Sequence, residues 1–337
     1  MKRAGGLFER IIAFDNLLRA ARQAARGKRD RPTVARFLFH LEPELLRLQD
    51  ELHTGRYRPG AFFTFEVRDP KRRAICAAPF RDRVVHHAIC HVLEPFFEKR
   101  LIFDTYACRP GKGSHAAIAR AQHFARHHAY FLKCDVRKYF ASVDHGVLNA
   151  LLTRLFKDPP LHDLLGRIIA HAPPDAPPGK GLPIGNLTSQ HFANLYLGEL
   201  DHHLKDRLGV TGYLRYMDDL LLFAADKPAL HHNLAELRVF LRETLRLELK
   251  ETATRLAPVT EGIPFLGFRV YPGVLRLNSR TLCRFRRQWR GRERAYRVGR
   301  LGGEDLATTV ASLFAHVAHA DTGRLRQRLM EDSLLLG

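Results

Sequence analysis

Tyr213-Leu-Arg-Tyr-Met-Asp-Asp-Leu-Leu-Leu-Phe223 decides how the rest of this chain is read. Two adjacent carboxylates, Asp218 and Asp219, stand between two apolar, β-prone runs. That pattern predicts a tight β-hairpin with the acids at its tip. Like charges side by side repel, so the tip is costly unless the acids hold something. A hard cation such as Mg²⁺ takes oxygen ligands, typically one or two carboxylates completed by substrate phosphates. An Asp-Asp turn alone is common and mostly inert. Its weight depends on a third carboxylate, a nucleotide pocket and a nucleic-acid track elsewhere in the chain.

The 337 residues suffice for two or three subdomains with cores of their own. Lys and Arg number 55 against 35 acids, a formal net charge of +20. Such an excess points to a polyanionic partner, nucleic acid first, rather than to a generally basic surface. The cysteines (Cys76, Cys90, Cys108, Cys134, Cys283) are dispersed with no Cys-x-x-Cys pair. That argues against a zinc ribbon or a disulfide framework and fits a reducing, cytoplasmic setting. The start, Met-Lys-Arg-Ala-Gly-Gly, lacks the apolar core of a signal peptide. No apolar run reaches the roughly 18 residues of a membrane span, so no membrane partner is expected.

Outward from the hairpin, Tyr130-Phe-Leu-Lys-Cys-Asp135 reads as a buried strand ending in an acid, able to complete a shared metal site beside Asp218. Asp144, before a helix bearing Val147, Leu148, Leu151 and Leu152, reads better as an N-cap than as a further ligand. Residues 173–185 are rich in Pro and Gly and form a loop. A helical pattern resumes from Thr188, its start carrying Ser189 and Gln190, a natural rest for a base pair or a triphosphate. Residues 7–53 and 82–100 are helical by spacing. Between them, Phe62–Val67 and Lys71–Ala78 form a basic hairpin, either a solvated edge or a clamp on triphosphate. His86, His87 and His91 read as polar positions on a helix face, because no cysteine or carboxylate completes a ligand set. Gly111-Lys112-Gly113 lacks the full phosphate-loop spacing and suits a turn opening a helix. Leu230–Leu247 is an amphipathic helix, and residues 262–275 are strand and turn. Residues 276–300 hold ten arginines and one acid, with Phe285, Trp289 and Tyr296 interleaved. This suits a helix that packs on one side and grips phosphates on the other. Residues 304–336 read as helical and complete a small bundle with it.

Phe131-Leu-Lys-Cys-Asp135, Gly181-Leu-Pro-Ile-Gly-Asn-Leu-Thr-Ser-Gln190, Tyr216-Met-Asp-Asp219 and Phe265-Leu-Gly-Phe268 occur in that order. In order and spacing they resemble the palm motifs of reverse transcriptases, and the resemblance covers nearly the whole chain. It implies an α+β, right-hand polymerase: an N-terminal extension and fingers over 1–129, a palm over 130–275 with a fingers insertion near 160–185, and a thumb over 276–337. It implies that Asp135 and Asp218 ligate two Mg²⁺ ions (Mn²⁺ as a substitute), with Asp219 beside them and the Val136 carbonyl as a backbone ligand. Phe140 matches the family's steric gate against ribose, and the alternative is a core aromatic. Lys71 and Arg73 match the finger residues that hold the dNTP triphosphate, with Ile184, Gly185 and Gln190 along the nucleotide pocket. Lys250 is a candidate for the acid that protonates pyrophosphate, against a plain surface lysine. Arg284, Arg287, Arg290 and Arg294 are the expected nucleic-acid grip, on template RNA and on the primer and its cDNA.

Within the family, many members carry Gln-Gly-x-x-x-Ser-Pro before the helix at 188. Here the segment is Ile184-Gly-Asn-Leu-Thr-Ser-Gln190. That departure resembles the enzymes of diversity-generating retroelements, as do Asn16-Leu-Leu, Pro70-Lys-Arg-Arg-Ala-Ile75 and Phe80-Arg-Asp-Arg-Val-Val-His-His87. The subtype implies adenine-mutagenic cDNA synthesis and a small basic accessory protein, usually oligomeric. The rival readings are a group II intron-like or phage-defence reverse transcriptase, and an RNA-binding scaffold that kept the fold and lost catalysis.

Overall fold

The computed structural model describes residues 3–68 and 72–331. The chain opens with four helices, α1 (Leu7–Ile12), α2 (Phe14–Ala24), α3 (Pro32–Phe39) and α4 (Leu41–His53). Their apolar positions recur at helical spacing and are buried, among them Leu7, Ile11, Leu17, Leu45 and Leu48. α1 has no cap of its own, since Gly6 precedes it. Asp158 fills that role from far along the chain, accepting from the amides of Gly6, Leu7 and Phe8 at 2.9, 2.6 and 3.2 Å. A carboxylate at a helix N-terminus meets both orphan donors and the positive end of the helix dipole.

The strands β1 (Phe63–Arg68) and β2 (Arg72–Ala77) form a separate antiparallel hairpin. Then come α5 (Phe80–Glu98), α6 (Ser114–His127), β3 (Tyr130–Asp135), α7 (Tyr139–Ser142), α8 (His145–Leu155), α9 (Pro159–Ala170) and α10 (Leu187–His202). A π-helical turn, His203–Arg207, leads to β4 (Gly212–Tyr216), β5 (Asp219–Ala224) and α11 (Lys227–Glu243). Four short strands follow: β6 (Arg255–Pro258), β7 (Ile263–Phe265), β8 (Phe268–Val270) and β9 (Leu275–Leu277). The chain finishes with α12 (Ser279–Arg297), α13 (Gly303–Ala318) and α14 (Gly323–Glu331).

The central sheet is antiparallel in the order β4-β5-β3-β6, and β7, β8 and β9 make a second antiparallel sheet. Strand alternation splits the central sheet into two faces. Leu132, Cys134, Leu220 and Leu222 point into a large core shared with α1–α5 and α8–α11. Phe131, Leu214, Leu221, Phe223 and Ala257 point the other way, into a smaller core with α6 and the second sheet.

Two expectations need correction, and one strand has no counterpart among them: β6 is a full member of the central sheet, paired with β3, although only four residues long. α11 ends at Glu243 rather than Leu247. Arg246 takes a left-handed conformation (φ 52°) and turns the chain, so Leu245 and Leu247 reach the core without being helical. The C-terminal helical stretch is two helices, α13 and α14, and its last residues, 332–336, lie outside the described ones.

Candidate active site

The register of β4 on β5 sets Tyr216 opposite Asp219 and leaves Met217 and Asp218 as a two-residue turn. Two-residue hairpin turns match the strand twist when a central residue takes positive φ, usually a glycine. Here Met217 takes it, at φ 55°. β3 lies on the other side of β5 with Asp135 directly opposite Asp219, so both side chains share one face. Thus the sheet brings Asp135, Asp218 and Asp219 to one corner.

The three acids do not have equal surroundings. Lys133 is two residues before Asp135, hence on the same face, and its Nζ lies 3.1 Å from Asp219 Oδ1. Asp218 is mostly buried, and burial is the main cause that pushes its pKa up to about 6. The charge of Asp135 is the next cause, Asp219 adds to it, and Arg73 opposes it. A cation would relieve that crowding, so the residues present fit a divalent ion. Among the described residues, no three His, Cys, Asp or Glu side chains form a closed metal cage. The donor set is the open pair Asp135 and Asp218, the kind of site at which Mg²⁺ keeps waters and substrate phosphates. The Val136 carbonyl is the candidate backbone oxygen. Beside Leu249, the bridge uses the Asp135 carbonyl and the Arg137 amide, at 2.8 Å each. Strand geometry then turns the Val136 carbonyl away from Leu249, toward the hairpin side.

A cleft of about 390 Å³ surrounds this corner, lined by Arg73, Lys133, Asp135, Asp218, Asp219 and Lys250 among others. A second cavity of about 450 Å³ shares Arg73, Lys133 and Asp219 and runs past Leu266 and Gly267 to Asn278, Arg280 and Arg284. Arg73, on the basic hairpin, thus joins the acids. Lys71 lies outside the described residues. Lys250 sits in the cleft, and its amide donates to the Asp135 carbonyl.

The loop before α10 is pinned between β2 and α7. The Leu182 amide donates to the Phe140 carbonyl at 2.7 Å, and the Cys76 amide to the Ile184 carbonyl at 2.9 Å. At Gly185 (φ 117°) an added Cβ would come within 2.9 Å of the Ile75 side chain. Phe140 is half-buried, packed against the large core beside Tyr139. Gln190 is half-buried on the first turn of α10. Phe140, Ile184, Gly185 and Gln190 are not among the lining residues of the cleft at Asp218.

α12 divides its arginines. Arg284 lines the cavity that reaches Asp219. Arg290 lines a different one, of about 540 Å³, with Arg286, Trp289, Arg324 and Arg328 against α14. Arg287 and Arg294 are exposed.

Two features went unread in the sequence: the ion pair of Lys133 with Asp219, and a buried Arg215 behind the turn. The second left a signal. An arginine inside the apolar strand Tyr213-Leu-Arg-Tyr216 demands an interior partner.

Residues 68–270, more than half of the chain, match the family model "Reverse transcriptase (RNA-dependent DNA polymerase)". The chain is 25% identical over 273 residues to protein YkfC of Escherichia coli, covering 68% of this chain and 72% of that one. It is 20% identical over 298 residues to the group II intron-encoded protein LtrA of Lactococcus lactis, covering 68% of this chain and 50% of that one. It is 23% identical over 173 residues to the putative COX1/OXI3 intron 1 protein of Saccharomyces cerevisiae, which it spans for 21% of its length. The chain therefore covers only half or less of these two intron proteins. Among solved structures, telomerase from Candida albicans overlaps 82% of this chain and 56% of its own at 12% identity, with a TM-score of 0.47, too shallow to carry weight. The family match, together with an antiparallel sheet that gathers the motif acids at one corner, places this chain in the reverse transcriptase family, as an RNA-directed DNA polymerase of right-hand fold.

Proposed function

We propose that the corner formed by Asp135, Asp218 and Asp219 is the catalytic centre, and that it extends a primer on an RNA template with dNTPs. The observation that carries this reading is the register that sets Asp135 opposite Asp219, with the mostly buried Asp218 on the turn between. Asp135, Asp218 and the Val136 carbonyl are the ligands we assign to Mg²⁺. Bound there, two such ions would supply the in-line two-metal chemistry, activating the primer 3′-hydroxyl and neutralising the departing pyrophosphate. Lys133 holds Asp219 at the edge of the site. Arg73, with Lys71, is placed to take the triphosphate, and Lys250 to meet the pyrophosphate. Arg280 and Arg284 continue the cleft toward a nucleic-acid backbone. Phe140, Ile184, Gly185 and Gln190 border the nucleotide only if the loop and hairpin close over it, as the link of Ile184 to Cys76 allows. The spans 1–129, 130–275 and 276–337 serve in this reading as extension and fingers, palm, and thumb.

We further propose the diversity-generating type, with adenine-mutagenic copying and a small basic accessory partner. Support comes from Ile184, where a hydrogen-bonding Gln is common. Without that contact, selection rests on shape, and near-isosteric substrates differ by only about 1–3 kcal/mol. A group II intron-like polymerase is the second reading, favoured by the similarity to LtrA.

The test is primer extension on a mixed-base RNA with Mg²⁺ and four dNTPs, followed by cDNA sequencing, beside an Asp218→Asn, Asp219→Asn variant. Extension by wild type alone is expected. Errors gathered opposite adenine, and reduced by Ile184→Gln, support the mutagenic type, whereas accurate copying supports the intron-like one. Silence, even with the accessory protein present, favours an RNA-binding scaffold. With a net charge of +20, salt-sensitive RNA binding alone discriminates nothing.

A further inference from the structure

Arg215 sits one residue before Tyr216 and is completely buried, as is Asp201 near the end of α10. A guanidinium in the interior is costly unless each of its donors is met. Nε donates to Asp201 Oδ1 at 2.7 Å and Nη2 to Asp201 Oδ2 at 2.6 Å, a bidentate fork. Nη2 also reaches the Asn194 carbonyl at 3.2 Å, and Nη1 reaches Asn194 Oδ1 at 3.2 Å. The remaining donor goes to the hairpin turn itself: Nη1 lies 3.0 Å from the Met217 carbonyl. Asp201 is held in turn by Tyr213 Oη at 2.6 Å and Thr105 Oγ1 at 3.0 Å.

The Met217 carbonyl belongs to the peptide that joins the strained Met217 to Asp218. The same peptide carries the Asp218 amide, one bond from the Asp218 Cα. Fixing the carbonyl fixes the peptide plane, and with it the direction in which Asp218 leaves the turn. A non-glycine residue at positive φ costs roughly 1–2 kcal/mol, so the turn has a standing tendency to relax. The Arg215 side chain holds that carbonyl against it.

We propose that Arg215, anchored by Asp201, is a positioning residue for the polymerase reaction: it clamps the Met217–Asp218 peptide so that the Asp218 carboxylate faces Asp135. The clamp also ties the turn to α10 through Asn194 and Asp201, so the helix that begins at the nucleotide loop ends at the catalytic turn. This inference rests on the reading of Asp218 as a metal-binding carboxylate.

The decisive variant is Arg215→Met with Asp201→Leu. It removes both buried charges together at similar side-chain volume, a replacement that buried ion pairs often tolerate, and leaves the Tyr213 and Thr105 hydroxyls without their Asp201 acceptor. Thermal unfolding, Mn²⁺ binding read from the free-ion electron paramagnetic resonance signal, and single-turnover extension are measured on the full chain. A cooperatively folded variant is expected with Mn²⁺ affinity and extension rate each lowered about 10- to 100-fold, the range seen when outer-shell partners of metal ligands are removed. Primer–template affinity should stay at the wild-type value. A folded variant with wild-type Mn²⁺ affinity and rate overturns the clamp and leaves Arg215 as core packing. If the double variant does not fold, Arg215→Lys decides the question, since it keeps the charge and lacks the fork. The same loss in a folded Lys variant supports the clamp, and wild-type values overturn it. A wild type that binds Mn²⁺ but never extends sinks the polymerase reading of the site while the Mn²⁺ comparison still judges the clamp. A wild type that does neither overturns both.

Discussion

Asp144 shows what a single carboxylate in this chain can be besides a ligand. Its Oδ1 accepts from the Val147 amide at 3.0 Å, capping α8, and its Oδ2 receives Arg246 at 3.0 Å. Burial works to raise its pKa, but the amide and the guanidinium outweigh it, and the net shift is downward. A depressed carboxylate stabilises the fold above the ordinary aspartate range, and that contribution is lost as pH falls through the folded value. Asp144→Ala should therefore cost about 1–2 kcal/mol in urea unfolding near neutral pH, the usual loss for an N-cap. The Mg²⁺ dependence of extension should not change; a shifted metal midpoint would return Asp144 to the catalytic site. The cap was legible because Asp precedes an apolar helical run. The Lys133–Asp219 and Arg215–Asp201 pairs were not, because they depend on strand register and on a helix crossing behind the sheet. The three motif acids could be found from residue type and order, but not the fact that one is ion-paired, one mostly buried and one opposite the first.

At the level of elements, α5 carries a pH dependence that its spacing does not announce. His86 is 4% exposed, and burial first, then the charges of His87 and His171, lowers its pKa to about 3. His87 is lowered to about 4 by burial, with His91, Arg83 and Lys28 adding to the effect. Both histidines are neutral in the folded chain near pH 7. A histidine whose folded pKa lies below its unfolded value stabilises the fold above about 6.5, and that stability drains as pH falls toward the folded value. The melting temperature should therefore fall progressively between about pH 6.5 and 4, and His86→Leu should flatten the decline. An unchanged slope in His86→Leu would assign the acid sensitivity to other groups. From the sequence, the helical periodicity of α5 was plain, while the depth at which each histidine sits was set by α2 and α10 packing on either side. Short strands were hardest for the same reason. β6, Arg-Leu-Ala-Pro, has no pattern of its own and exists because β3 offers it an edge.

For the whole molecule, the two cores make opposite predictions about the two ends of the chain. The large core is one cluster with members from Leu7 to Leu249, so the first four helices and the inner face of the central sheet are one packed unit. α2 and α1 pack on α5, with α10 on it as well, and Val84, Val85, Ile89 and Leu93 of α5 are all 0% exposed. Uncovering four such side chains forfeits about 1.5–3 kcal/mol each, which approaches the roughly 5–15 kcal/mol by which domains are stable at all. Among the described residues, the smaller core takes only Ala320 from beyond β9 as a buried member, while Phe285 and Trp289 of α12 pack on Phe314 of α13. Removing residues 1–53 should therefore abolish cooperative unfolding. Ending the chain at Asn278 should leave a cooperative melt, with primer–template affinity lost along with Arg280 and Arg284. Circular dichroism melts of the two truncations, paired with filter binding, test both claims. A cooperative melt from residues 54–337 would show that the N-terminal helices are an appendage to the sheet. Collapse of residues 1–278 would show that the C-terminal helices brace it. Intact binding by residues 1–278 would instead move the nucleic-acid grip off α12 and onto the basic hairpin and the N-terminal helices.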